Sequence, residues 1–116
     1  MIPSGVEIFL GLDPIDLRWG FDRLAGIVAE RLGHAPRSGA LFVFVGKRKT
    51  AMKVIFFDGS GMCLFYKRLD KNRFRLPDGY PPDTASIELS ERDLDALLDG
   101  IEVETDSPSS GRRRLH

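Results

Sequence analysis

Cysteine is almost missing from this chain. Cys63 stands alone among 116 residues, which excludes an intrachain disulfide or a multi-cysteine metal site and leaves the reading of a small buried thiol. Histidine is nearly as scarce. His34 and His116 have no cysteine, histidine or acid at metal-ligand spacing, so solvated positions are expected for both. No apolar run nears the roughly 18 residues of a transmembrane helix. The opening MIPSGVEIFLGLD lacks the basic flank and long apolar stretch of a signal peptide, so a cytoplasmic protein without membrane attachment is expected. Net charge is missing too, with 17 bases against 17 acids, which argues against a general polyanion binder. What is present, 42% hydrophobic and 29% charged residues, is the make-up of a globular domain with one core.

The zero charge hides two blocks of opposite sign. Residues 37–75 hold ten bases against Asp58 and Asp70, a balance of +8. Residues 76–106 hold ten acids against Arg92, a balance of −9. Segregation of this kind points to a specialised basic surface.

Periodicity supplies the elements. Val6, Ile8 and Leu10 alternate with Glu7, Phe9 and Gly11, predicting a short edge strand that ends at Asp13-Pro14. Phe21, Leu24, Ala25, Val28 and Leu32 recur at three- and four-residue steps. That spacing predicts an amphipathic helix over 19–32, capped by Asp13 or Asp16 and stopped by Gly33 and Pro36. The period then changes: 41–45, 52–57 and 62–69 are β-rich, separated by a basic turn at 46–50 and the turn Asp58-Gly59-Ser60-Gly61. Two hairpins forming a three-stranded meander follow. Further short strands are expected at 74–76 and 86–89. Ser90, with Glu91 and Asp93 behind it, predicts a helix whose buried stripe is Leu94, Leu97, Leu98 and Ile101. The fold expected is α+β, an antiparallel meander sheet packed with an N-terminal and a C-terminal helix. It forms a single domain over 1–104, followed by a disordered polar tail over 105–116.

Catalytic signatures are not found. Gly46-Lys47 departs from a phosphate-binding loop, which needs glycine where Leu41 stands and serine or threonine where Arg48 stands. Asp16, Asp58 and Glu88 form a conceivable metal trio, but Asp58 reads better as a turn residue, and no nucleophile has a partner base. No cofactor is expected, and the chain reads as no enzyme.

The meander carries the positive signal. Pairing Phe57 with Met62 across the turn makes Lys53 face Tyr66. Lys53, Ile55, Phe57, Met62, Leu64, Tyr66 and Arg68 then share one face. Met52, Val54, Phe56, Cys63, Phe65, Lys67 and Leu69 take the other, a nearly apolar face assigned to the core beneath the first helix. Lys53, Tyr66 and Arg68 would cluster outward beside Lys47-Arg48-Lys49, cations for phosphates around a stacking ring. The same charges also suit an edge kept soluble and unpaired. Ile55, Phe57 and Leu64 on that face equally suit a protein interface.

The runs DLRWGFDRLAGIV (16–28), SGALFVFVGKRKTAMKVIFFDGSGMCLFYKRL (38–69) and NRFRLP (72–77) resemble the small accessory protein of the insertion sequence sixty-six family of bacterial transposable elements. The resemblance spans about residues 1–103. It implies a helper in DNA transposition and recombination, with the cutting and joining acids on a separate transposase and no catalytic residues to carry over. Phe56 and Phe57 stand where members often have two tryptophans, and Trp19 where a base is common. The expected DNA contacts are Arg18, Lys47, Arg48, Lys49, Lys53, Tyr66, Lys67, Arg68, Arg73 and Arg75. The expected partners are the DNA of the element ends, the transposase and other element-encoded proteins. A pure adaptor docking the transposase through the acidic helix from Glu91 onward and through Ile55, Phe57 and Leu64 is the alternative. Monomer and homo-oligomer are both left open.

Overall fold

The hairpin of β3 (Ala51–Phe57) and β4 (Met62–Arg68) follows from one side chain. Asp58 Oδ1 accepts from the backbone nitrogens of Ser60 (2.8 Å) and Gly61 (2.9 Å) and from the Ser60 hydroxyl (2.9 Å). Gly59 takes a φ of 100°, which a residue without a Cβ adopts freely. The register is then the expected one, with Phe57 opposite Met62 and Lys53 opposite Tyr66.

The computed structural model describes residues 5–100. In chain order the elements are β1 (Ile8–Gly11), α1 (Phe21–Ile27) continued by one π-helical turn (Val28–Leu32), β2 (Leu41–Val45), β3 (Ala51–Phe57), β4 (Met62–Arg68), β5 (Ser86–Leu89) and α2 (Glu91–Leu98). The five strands form one sheet in the order β4-β3-β2-β1-β5. The α+β class and the β2-β3-β4 meander stand as expected, but the sheet is mixed. β1 runs parallel to β2 and antiparallel to β5, because α1 carries the chain across one face between β1 and β2. The first helix is thus a crossover inside the sheet's connectivity rather than an element ahead of it.

Several expectations are corrected. β1 is not an edge strand: it is flanked on both sides, and all four of its residues are buried. Its sequence IFLG is apolar on both alternating sets, the mark of a strand covered on two faces, with Phe9 inside instead of out. Residues 74–76 form no strand. Phe74 reaches from a loop into the core shared with Met52 and Leu97, its nitrogen donating to the Lys49 carbonyl at 2.7 Å. The acids Asp13 and Asp16 do not cap α1, whose N-cap is Gly20 with no side-chain bond. Asp13 pairs with Arg31 at 2.9 Å instead, and Asp16 holds Arg18. Gly33 does end the helix, in the left-handed region at φ 72°. β5 and the Ser90 cap are as expected: Ser90 Oγ accepts from the Asp93 nitrogen at 3.0 Å, and the Ser90 nitrogen donates to Asp93 Oδ2 at 3.4 Å. Ile101 and the tail lie outside the described residues.

The sheet is covered on both faces. On one, Met52, Val54, Val43 and Leu10 pack with Leu94 and Leu97 of α2. On the other, Phe9, Phe42, Phe44 and Ile55 pack with Leu24 of α1 and Val28 of the π-helical turn. The apolar face of β3 therefore sits beneath α2 and not beneath the first helix. Ile55 is fully buried by α1, and Met62 and Leu64 pack against the same cluster, so the apolar patch read as outward is largely interior. Each fully buried large side chain contributes about 1.5–3 kcal/mol, and burial on both faces of one sheet lets a short chain accumulate many of them.

His34 is not a freely solvated side chain. Its ring stacks on Phe9 with centroids 4.0 Å apart. Cys63 is half-buried, not buried, and its thiol reaches Asp58 Oδ2 at 3.4 Å. His116 lies outside the described residues.

Candidate nucleic-acid interface

Two backbone hydrogen bonds build the basic end of the molecule. At the β2–β3 turn, Gly46 donates to the Ala51 carbonyl at 3.0 Å, and Lys49 to the Gly46 carbonyl at 2.9 Å. Lys47, Arg48 and Lys49 are exposed there. Residues 69–74, leaving β4, lie across this turn. Leu69 donates to the Thr50 carbonyl at 2.8 Å, and Phe74 to the Lys49 carbonyl at 2.7 Å. The buried Phe74 anchors the loop, and its exposed neighbours Arg73 and Arg75 are thereby brought beside the turn. Arg68, opposite Ala51 in the register, and Lys71 complete the group. Lys71 was missed by the sequence reading, although its place in the +8 block was the available signal.

The turn is fixed from the other side by Leu17. Ile15 bridges Gly46 in parallel fashion, and a Cβ on Gly46 would lie 2.9 Å from Leu17 Cδ1. A larger residue at Gly46 would push the Leu17 side chain away from the turn. Arg18 follows on this loop, exposed and clamped to Asp16, with Nη2–Oδ2 at 2.6 Å and Nε–Oδ1 at 3.0 Å. The Arg18 bond holds the Asp16 carboxyl down at about 2, and Asp16 in turn raises Arg18. Arg18 thus reaches the basic end already paired.

Lys53, Tyr66 and Arg68 cluster on the α1 side as the register demands. Arg68 Nη2 donates to the Tyr66 hydroxyl at 3.1 Å, and Lys53 Nζ stands 5.9 Å from the Tyr66 ring. Lys53 is half-buried and donates to the Trp19 carbonyl at 2.7 Å. It therefore ties β3 to the chain ahead of α1 while supporting the ring. Lys67 stands apart from all the others. It lies on the α2 face, and its Nζ donates to the Leu98 carbonyl at 2.7 Å, satisfying one of the carbonyls that a helix leaves open at its end.

The ten expected contact residues thus divide by geometry. Lys47, Arg48, Lys49, Arg68, Arg73 and Arg75 are exposed and gathered at one end. Tyr66 presents 43% of its surface. Lys53 and Arg18 are committed to internal partners, and Lys67 serves α2. Neither of the ion pairs Arg18–Asp16 and Arg31–Asp13 draws on the gathered six. Among the described residues, no group of three or more histidines, cysteines or acids is placed to hold a metal ion. Nor is any helix among them long and apolar enough to cross a membrane.

Comparison with known proteins identifies the family of the chain. Residues 6–108 match the model of the family described as IS66 Orf2 like protein. The chain is 42% identical over 104 residues to "Uncharacterized protein y4hO" of Sinorhizobium fredii (strain NBRC 101917 / NGR234), covering 88% of each. It is 32% identical over 98 residues to "Uncharacterized protein y4jC" of the same strain, covering 84% of this chain and 81% of the relative. No solved structure matches. The match runs from β1 through α2 and takes in the whole basic end, and on this evidence of shared sequence the chain belongs to the IS66 Orf2 like family of insertion-sequence accessory proteins.

Proposed function

We propose that this protein assists transposition of its insertion sequence as a non-catalytic accessory that grips DNA phosphates with the basic end of its sheet. One observation carries this reading. The bonds from Leu69 and Phe74 to the β2–β3 turn bring Lys47, Arg48 and Lys49 together with Arg68, Lys71, Arg73 and Arg75. Cations assembled in this way neutralise several phosphates at once and release their counterions. Tyr66 beside them offers a ring for a base or sugar. Such contacts position a protein on DNA without reading its sequence. The carboxylates considered for a metal trio support a helper role: Asp16 is spent on Arg18, Asp58 shapes a turn, and Glu88 is on β5 at the far edge of the sheet from β4.

Replacing Lys47, Arg48 and Lys49 together with Ala tests the reading by DNA retention over a salt series. Losing about three phosphate contacts lowers the magnitude of the salt slope by roughly 2.7, at about 0.9 per contact, and does so alike on element and unrelated DNA. Retention with an unchanged slope would remove the turn from the interface. Nicking or joining of DNA in Mg²⁺ that vanishes in Asp16→Ala or Asp58→Ala would end the non-catalytic assignment.

A further inference from the structure

The opposite side of the sheet carries a second surface that the basic end does not explain. Between α2 and the α2 face of β3 and β4 runs a groove of about 600 Å³, within the roughly 300–1,000 Å³ of ligand sites. Its floor is Leu41, Val54, Phe56 and Leu94, and Phe65 of β4 forms a lip, 38% exposed. Glu91, Leu94, Asp95 and Leu98 line it at helical spacing, so it extends along two turns of α2. Its carboxylates are Asp58, Glu91 and Asp95, and among the described residues no lysine or arginine lines it. Beside the lip lies an edge of the sheet, since among the described residues β4 has β3 as its one neighbouring strand.

We infer that this groove and the β4 edge together dock an extended segment of a partner protein, with bulky apolar side chains at alternate positions and lysine or arginine beside them. An incoming strand on β4 gains main-chain hydrogen bonds from the unpaired edge. Its alternate side chains then point to the α2 side, where the groove begins. The acidic rim selects basic neighbours and repels acidic ones. A second copy of this chain is a poorer occupant. Its own β4 offers one bulky side chain, Phe65, on that face, and it brings a second set of carboxylates. Lys67 and Arg68 at the end of β4 also discourage self-pairing. This inference rests on family membership for its choice of probe and not on the DNA reading.

The probe is a tiled set of synthetic peptides covering the transposase of the same element, presented to the full chain. The peptides retained should be those with apolar residues at alternate positions next to Lys or Arg. Asp95→Lys, at an exposed helix position, should weaken their retention at least tenfold, and so should Phe65→Asp. Replacing Lys47, Arg48 and Lys49 with Ala should leave it unchanged. Methylating the backbone nitrogens on one alternating set of the bound peptide should abolish retention, whereas methylating the other set should not. Thermal melting of both variants shows whether each still folds, and Asp95→Lys alone suffices if Phe65→Asp does not. No retained peptide, or retention indifferent to Asp95→Lys, would overturn the inference. A native dimer that Phe65→Asp splits into monomers would give the groove to a second copy and overturn it equally. DNA retention measured on the same variants stays as in the parent under this proposal, so failure here and failure of the DNA reading are separable.

Discussion

The two faces of the sheet are built from the same strands but finished differently. The α1 face is aromatic, with Phe9, Phe42 and Phe44 under a helix that starts at an uncapped Gly20 and ends in a π turn. The α2 face is mainly aliphatic, under a helix with a capping box at Ser90 and Asp93. At β4 this difference reaches the surface. Its even-numbered Tyr66 and Arg68 join the cationic cluster, while its odd-numbered Phe65 borders an acid-rimmed groove. One strand thereby borders two surfaces of opposite charge in a chain whose net charge is zero.

The sharpest way to break this comparison is to hollow each face separately. Leu24→Ala under α1 and Leu97→Ala under α2, both fully buried, should each cost about 2–5 kcal/mol in urea unfolding. Phe74→Ala should cost about 3–5 kcal/mol and also weaken DNA retention, because Phe74 anchors the loop that carries Arg73 and Arg75. If Leu24→Ala were tolerated while Leu97→Ala was not, α1 would be a loosely held lid and not half of a two-faced core.

The extent to which this was legible in the sequence follows from range. The β3–β4 register was readable because Asp58, Gly59 and Gly61 fix the turn locally and period two does the rest. The cap at Ser90 was readable for the same reason. The position of β1 was not, since its partner β5 begins some 75 residues later and nothing local encodes the pairing. Which helix covers which face was also hidden, because β3 is apolar on both alternating sets. In the candidate site, Lys47 to Lys49 and the Lys53–Tyr66–Arg68 cluster could be placed from turn and register. The gathering of Arg73 and Arg75 depends on carbonyls of Lys49 and Thr50, and Lys67 looks like every other base until α2 is seen to end over it.

The helix ends sharpen the comparison at smaller cost. Ser90→Ala should destabilise by about 1 kcal/mol, since it removes a side-chain cap on a nitrogen that has no helical partner. Gly20→Asn, at a backbone position with φ −101° and nothing within 4 Å of an added Cβ, should stabilise by about a few tenths of a kcal/mol. Thermal melts of the two variants should therefore move in opposite directions. A gain from Ser90→Ala or a loss from Gly20→Asn would mean that the helices are held by packing alone.

Acid titration probes the two faces through Asp16 and Asp58, each lowered from the ordinary 3.8 to about 2. For Asp16 the leading cause is the Arg18 side chain, and for Asp58 it is the Ser60 nitrogen. A carboxyl whose folded pKa is depressed binds its proton more readily in the unfolded chain. Its stabilisation is present above about 4 and is lost as pH falls towards 2. Asp58→Asn keeps an oxygen for the turn, so it should fold and show a shallower fall in melting temperature across that window. Asp16→Asn should do likewise. An acid limb as steep as the parent's in both variants would place the sensitive groups elsewhere.

Two opposing effects on stability nearly offset each other at Lys49, where the basic turn carries backbone strain. Its φ of 62° lies in the left-handed region, which costs an ordinary residue about 1–2 kcal/mol. Lys49→Gly relieves that strain but adds freedom to the unfolded chain, worth about 0.5–1 kcal/mol in the opposite sense. The net should be stability equal to the parent's or higher by up to about 1.5 kcal/mol. DNA retention should nevertheless fall, with the salt slope reduced by about 0.9 for one phosphate contact. A residue kept in a strained conformation that glycine would relax is tolerable where its side chain is used, and strain of this kind gathers at functional sites. A clear loss of stability in Lys49→Gly would show instead that the lysine side chain supports the turn. An unchanged salt slope would leave the strain at Lys49 without a DNA contact to account for it.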